Sequence, residues 1–301
     1  MPRIEFIGRS RWLLAFSAAL VLFSVVALAV RGLTFGIEFQ GGTVMHFIGA
    51  DDTGVEDVRQ ALDDAGVPEA ANATIQRTEE GEFIVRTAES DPDAAAEALD
   101  RLSGILGLPE QEPNVTTIGP GWGRNITNAA LLALAVSLGA ILLYIAVRFE
   151  YKMSVIAVGT LVHDIVIVLG VYALAARAVT PNTVAALLSI LGYSLYDTVV
   201  VFHRIRENSQ HLVKTTFSHM ANDSLNQVLI RSLNTSVTSI IPVIVLFFFG
   251  GETLQDFAFA LMIGIALGVY SSIGFATPLY VMWKETEPKY RALAKRAGRT
   301  S

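Results

Sequence analysis

The chain contains no cysteine, which excludes disulfide bridges and thiolate-held metal sites and leaves the redox compartment open. Charge is scarce: charged residues are 17% of the 301 and apolar residues 52%, with a mean hydropathy of +0.49. Soluble domains carry roughly 25% charge, so this chain has too little polar surface to stay dissolved. No G-x-x-x-x-G-K-[ST] stretch occurs, which excludes a phosphate-binding loop of that kind and direct ATP use through it. No cofactor, metal or nucleic-acid partner is expected.

Long apolar runs are what the chain does have. Trp12 to Val30 follows a leader with Arg3, Arg9 and Arg11. It is longer than the ~7–15 residues of a signal-peptide core, so an uncleaved anchor is expected even though Ala27-Leu28-Ala29 resembles a cleavage site. Five more runs follow, about Ala129–Val147, Ser154–Ala175, Thr183–Phe202, Leu229–Phe249 and Phe257–Trp283. Each approaches or exceeds the ~20 residues that cross a bilayer core. Residues 31–126 differ in kind, with 18 acidic residues against six arginines and no lysine.

That acidic region reads strand, helix, strand, strand, helix, strand. Thr43–Gly49 is β-rich, and Val55–Ala65 has helical spacing with Asp51, Asp52 and Thr53 as capping candidates. Ala73–Thr78 and Phe83–Ala88 flank a turn at Glu79-Glu80-Gly81. Asp91–Ile105 reads as the second helix and Val115–Ile118 as the last strand. The order is that of a ferredoxin-like α+β sandwich. Gly119-Pro120-Gly121-Trp122-Gly123 is expected to break it from the helices beyond.

The fold class expected is an α-helical polytopic membrane protein with six transmembrane helices and an extracytoplasmic ferredoxin-like domain inserted after the first. The divisions are residues 1–11, a helix at 12–30, the domain at 31–126, five helices over 127–283 and a basic tail at 284–301. Positive charge falls in the leader, in Arg148 to Lys152, in the link carrying Arg204, Arg206 and Lys214, and in the tail from Lys284. The positive-inside rule places all four, and both termini, in the cytoplasm. The single arginines Arg31 and Arg177 are too few to reverse this.

Ionisable residues in spanning segments are functional candidates by default. Three stand out: Asp164 with His163 beside it, Asp197, and Arg231 at the start of the fifth helix. Rise per residue puts Arg231 roughly 10 Å deep if that helix begins near Leu225, Asp197 roughly 15 Å if the fourth leaves the membrane near Glu207, and Asp164 roughly 18 Å from the cytoplasmic start of the third. A carboxylate in hydrocarbon favours its neutral form, and a nearby guanidinium favours the charged one. Separating such a pair, or wetting one side, loads and unloads a proton. A static buried ion pair that fixes helix packing remains the alternative. Ser232, Asn234, Thr235, Ser236 and Thr238 either line a wet path or join helices. Gly264, Gly268 and Ser272 form a small-residue face, for the bundle or for a partner. Arg148 and Lys152 read as topology determinants near anionic headgroups.

Phe35-Gly36-Ile37-Glu38-Phe39-Gln40-Gly41-Gly42-Thr43 and the long stretch Leu191 to Asn208, joined by Arg231-Ser232-Leu233-Asn234-Thr235-Ser236, carry a resemblance. The chain resembles the SecD/SecF protein-export membrane protein family, in its SecF branch, within the resistance-nodulation-division superfamily. The resemblance implies a prokaryotic inner-membrane protein that pairs with SecD, assists the SecYEG channel and uses proton flow to promote preprotein translocation. It implies proton-coupling roles for Asp197, Arg231, Thr235 and Asp164. Glu38 stands where the family usually has Asp, and Tyr196 where it commonly has Asn.

Gly36, Glu38, Gly41 and Gly42 form a possible hinge or substrate loop, since adjacent glycines permit positive φ or close backbone approach. Membrane lipids are the remaining expected partner. Three other readings stay open: an exporter of small molecules or lipids from the same superfamily, an uncoupled structural subunit, and an aspartyl intramembrane protease. The last needs two carboxylates sharing a proton and a Gly-x-Gly-Asp stretch, which neither aspartate helix has; no enzyme is expected.

Overall fold

The computed structural model describes residues 4–49, 53–67, 70–77, 81–89, 91–108, 114–212 and 215–297. The chain divides into two compact units, residues 35–133 and the remainder. Asp51, Asp52, Glu79, Glu80 and Lys214, all named above, lie outside the described residues.

The smaller unit has a four-stranded antiparallel sheet of β1 (Gly42–Ile48), β2 (Thr74–Arg77), β3 (Glu82–Thr87) and β4 (Asn114–Ile118), ordered β2-β3-β1-β4. Alternation sorts its residues by face. Met45, Phe47, Phe83 and Val85 meet Val58, Leu62, Leu99 and Leu102 of α3 (Val55–Asp64) and α4 (Pro92–Leu106). Val44 and Ile84 turn the other way, against Ile37 of the short α2 (Ile37–Gln40). The elements follow the order expected from the sequence, but the cap of α3 does not. Gly54 is the cap position, and its N–H donates to the Asp57 carboxylate at 2.8 Å. A residue three places in thus supplies the group expected just ahead of the helix. At α4, Asp91 accepts from Asp93 N–H at 3.0 Å, with Pro92 in the first position.

The Gly-Pro stretch expected to break the chain instead opens a helix, α5 (Pro120–Arg148). Proline in a helix's first turn costs no hydrogen bond, and at Gly123 a Cβ would stand 2.6 Å from the Phe39 carbonyl oxygen.

The larger unit is helical. Among the described residues, six helical segments are long and apolar enough to cross a membrane. They are α1 (Ser10–Arg31), α5, α6 (Tyr151–Ala175), α7 (Pro181–Gln210), α8 (Phe217–Phe249), and a last span of α9 (Gly251–Tyr270), a π-helical turn at 271–276 and α10 (Thr277–Lys284). A terminal helix, α11 (Pro288–Ala297), follows. Helix α8 begins eight residues before Leu225, at Phe217, because the Thr216 hydroxyl caps His219 N–H at 3.2 Å and Phe217, Met220 and Ala221 are buried. Asn222 and Asn226 on that first stretch bind the backbone of Phe6 and Ile4 at 2.8 and 2.9 Å.

Small residues bring the spans close. A Cβ on Gly264 would strike Ile190, and one on Gly268 would stand 3.3 Å from Ser194. The small-residue face of the last span is therefore spent on α7 inside the bundle. Arg31 donates to the Leu174 carbonyl at 2.7 Å, and Arg177 pairs with Asp256 at 2.8 Å between Phe247 and Phe259.

At the opposite end, Lys284 is buried and bonded to Glu150 at 2.6 Å, and Glu287 takes Lys152 at 3.0 Å and Lys284 at 3.2 Å. Lys284 and Lys152 thus clamp α6, α10 and α11 together. Burial works to raise the Glu287 carboxyl, but the two ammonium groups outweigh it and hold the carboxyl below its ordinary value. A depressed folded-state value contributes stability above the unfolded value, lost as pH falls through the folded one. Thermal unfolding in detergent is expected to show a contribution of about 0.5–1 kcal/mol for this partly exposed group. It is expected to be present at neutral pH, to fade below pH 4.5, the ordinary value, and to be missing at every pH in Glu287→Gln.

Candidate functional site

The polar residues of the spans gather on α7 and its neighbours. Asp164 on α6 is wholly buried (0% exposed). Its Oδ2 accepts from Ser194 of α7 at 2.6 Å and Ser271 of the π turn at 2.9 Å, and its Oδ1 lies 2.9 Å from His163 Nδ1. The His163 ring stacks on Phe275 at 4.3 Å, with its buried Nε2 unpartnered among the described residues.

The π turn follows from Pro278, which has no N–H to continue the α-helical ladder. Thr277 Oγ1 binds the Ser272 carbonyl at 2.8 Å. The turn points Ser271 at Asp164 and sets Ser272 Oγ 2.9 Å from Thr198 Oγ1 of α7.

One turn beyond Ser194, Asp197 is buried and faces α8. Its Oδ1 accepts from Ser232 at 3.0 Å, and its Oδ2 is buried without a partner among the described residues. A turn earlier on the same seam, Tyr193 Oη and Ser236 Oγ are 2.6 Å apart. Ser194, Thr198, Ser232, Ser271 and Ser272 therefore complete the layer around the two aspartates.

The expected Asp197–Arg231 ion pair is not formed. Arg231 precedes Ser232, and one helical residue is a turn of roughly 100°. With Ser232 against Asp197, Arg231 points away, is exposed, and lines a cavity of about 500 Å³ with Arg148, His203, Arg204 and Glu207. Thr235 does not reach Asp197 either: its hydroxyl donates to the Arg231 carbonyl at 2.9 Å. The polar half of α8 thus divides. Ser232 and Ser236 are buried against α7, while Arg231, Asn234 and Thr238 are uncovered. Tyr196 is also uncovered and lies on an outward face, not at the Asp197–Ser232 contact.

Asp164 and Asp197 hold separate sets of partners and share no hydrogen bond among the described residues.

In the smaller unit, Gly36 caps α2, and Gly41 and Gly42 have φ of +81° and +125°. A Cβ on Gly42 would collide with the Thr87 carbonyl, so this position requires glycine on two counts. Glu38 is half-buried, with Oε2 unpartnered among the described residues.

The family model for the C-terminal part of the protein export membrane proteins SecD/SecF matches residues 106–286, and the model for the SecD/SecF GG motif matches residues 26–45. The chain belongs to the SecD/SecF family. The protein translocase subunit SecF of Streptomyces coelicolor is 37% identical, over 97% of this chain and 80% of the relative. SecF of Desulfurispirillum indicum is 37% identical, over 95% and 93%. The crystal structure of SecDF, a translocon-associated membrane protein from Thermus thermophilus, matches 94% of this chain with a TM-score of 0.86 and 35% identity. This SecD/SecF-family chain spans 39% of that SecDF chain. Family membership and the six apolar helices make it a multi-pass membrane protein.

Removing one hydroxyl from the Asp164 cluster leaves a buried charge-accepting oxygen short of a donor. Ser194→Ala is expected to lower stability by about 1–3 kcal/mol. In Asp164→Asn the same serine change is expected to cost less, which a double-mutant cycle of thermal unfolding measures.

Proposed function

We propose that the chain is a SecF-type accessory subunit which, with SecD, uses the proton gradient to promote preprotein translocation through the SecYEG channel, without enzymatic chemistry of its own. It resides in the cytoplasmic (inner) membrane with both termini and the basic links in the cytoplasm. The β-α-β-β-α-β unit is a ferredoxin-like domain on the extracytoplasmic side, and the Gly36–Gly42 loop is its hinge or substrate loop. Membership of the family and the names of the relatives support the export role. The distribution of positive charge supports the orientation.

The observation that carries proton coupling is Asp197, buried in a spanning helix with one carboxylate oxygen bonded to Ser232 and the other unpartnered. A dry, half-satisfied carboxyl suits the neutral acid. A guanidinium arriving from the neighbouring position on α8 suits the anion. Movement of Arg231 between the cavity and Asp197 therefore exchanges one proton, with Thr235 and the Asp164 cluster completing the polar surroundings.

Partnership with SecD is supported by a stripe on α7. Ala185, Ser189, Gly192 and Tyr196 are uncovered at helical spacing, beside the uncovered Asn234 and Thr238 of α8. Polar side chains facing lipid are costly, and a second set of helices removes that cost. The fused SecDF relative joins both names in one chain.

The test is Asp197→Asn, co-reconstituted with SecD and the export channel. Preprotein translocation is expected to lose its stimulation by a proton gradient while assembly and ATP-driven initiation persist. Ser232→Ala is expected to weaken the stimulation severalfold, for a contact worth about 1 kcal/mol. Stimulation that survives intact in Asp197→Asn removes this residue from coupling and leaves an uncoupled structural subunit.

A further inference from the structure

The cavity between α5, α7 and α8, from which Arg231 would move in proton coupling, has a second chemistry in its other residues. Three guanidinium groups, from Arg148, Arg204 and Arg231, face one carboxylate, Glu207, across about 500 Å³. Glu207 is already taken by Arg204 at 2.7 Å, and Arg204 Nε donates to Gln227 at 2.5 Å. The guanidinium groups of Arg148 and Arg231 have no partner among the described residues, and both are exposed. Unpaired arginines at the end of spanning helices reach the level of the lipid headgroups, where an anionic headgroup can pair with them.

Beside His203 and Gln227, the rest of the lining is largely apolar: Phe149, Val199, Val200 and Val228 line the cavity, and the face of α5 beside Tyr144 carries the uncovered Leu143 and Val147. A cavity with a cationic end and an apolar wall, at the end of the spans, matches an amphipathic anion. Arginine forks match phosphate oxygens two at a time, and basic pockets between helices at the membrane surface hold lipid headgroups. The volume lies within the ~300–1,000 Å³ range of ligand sites.

We infer that this cavity is a binding site for the phosphate headgroup of an anionic phospholipid in the leaflet at the basic end of the bundle. The unpartnered Arg148 and Arg231 hold the phosphate, Arg204 adds the N–H groups that Glu207 and Gln227 leave free, and the valines take the start of an acyl chain. The site shares Arg231 with the proposed coupling, but lipid binding is read without a proton gradient, so failure of one is distinguishable from failure of the other.

The experiment measures binding of spin-labelled phosphatidylglycerol to the full chain in nanodiscs of neutral phosphatidylcholine, alone and in complex with SecD. Wild type is expected to immobilise about one labelled lipid, and Arg148→Gln with Arg204→Gln is expected to weaken binding at least tenfold. Arg291→Gln with Lys289→Gln, basic changes outside the cavity, is expected to leave binding unchanged. Arg148→Lys with Arg204→Lys keeps the charge and is expected to retain part of the binding, which separates a lost site from a misfolded chain. Glycerol phosphate at millimolar concentration is expected not to displace the lipid. Three results would overturn the inference: equal immobilisation in wild type and the double glutamine variant, displacement by glycerol phosphate, which makes the site one for a free phosphate anion, and loss of the immobilised lipid on adding SecD, which assigns the cavity to a protein partner.

Discussion

A carboxylate that leaves water must find donors or give up its charge, and at Asp164 the donors come from three directions. His163 is its neighbour on α6, Ser194 belongs to α7, and Ser271 to the last span. Other features of the bundle follow from closing this contact. Gly268 lets the last span approach Ser194, and the π turn before Pro278 swings Ser271 inward while Ser272 meets Thr198. With α7 fixed on that side, Asp197 turns to α8 and finds Ser232. Asp164 is thus tied to the fold by more bonds than Asp197, whose second oxygen is left open.

The sequence disclosed the spans because lipid is a demanding solvent: apolar runs of that length have few other uses. It also disclosed the two buried aspartates and the alternation of the smaller unit. It did not disclose which way Arg231 points, since neighbouring residues on a helix diverge by roughly 100° and nothing in Arg231-Ser232 says which of them faces α7. Ser271 was hidden for a related reason. Gly264, Gly268 and Ser272 mark one face by their spacing, and nothing in Ser271-Ser272 says that the first of them reaches Asp164. The early start of α8 was hidden by its polar residues, Asn222 and Asn226, which bind the backbone of the leader instead of water. Lys284 looked like part of a solvated tail, but two carboxylates hold it buried.

The uncovered polar groups of α7 and α8 give the proposed pairing with SecD its physical content. One face of this bundle is chemically unfinished for a lipid surround, and its completion by a second set of helices is what would wet or dry Asp197. On this reading the proton site has residues from both partners, and Asp164 is a fixed point around which the α7–α8 seam works.

In the proposed mechanism Asp197 takes up and releases a proton while Asp164 does not. Infrared difference spectroscopy of the reconstituted complex with SecD, stepped across pH, tests it most directly. A carboxylic-acid band is expected that responds to pH, disappears in Asp197→Asn and persists in Asp164→Asn. A titrating band that survives Asp197→Asn and vanishes in Asp164→Asn would contradict it, and would move the proton to the cluster assigned here to holding the helices together.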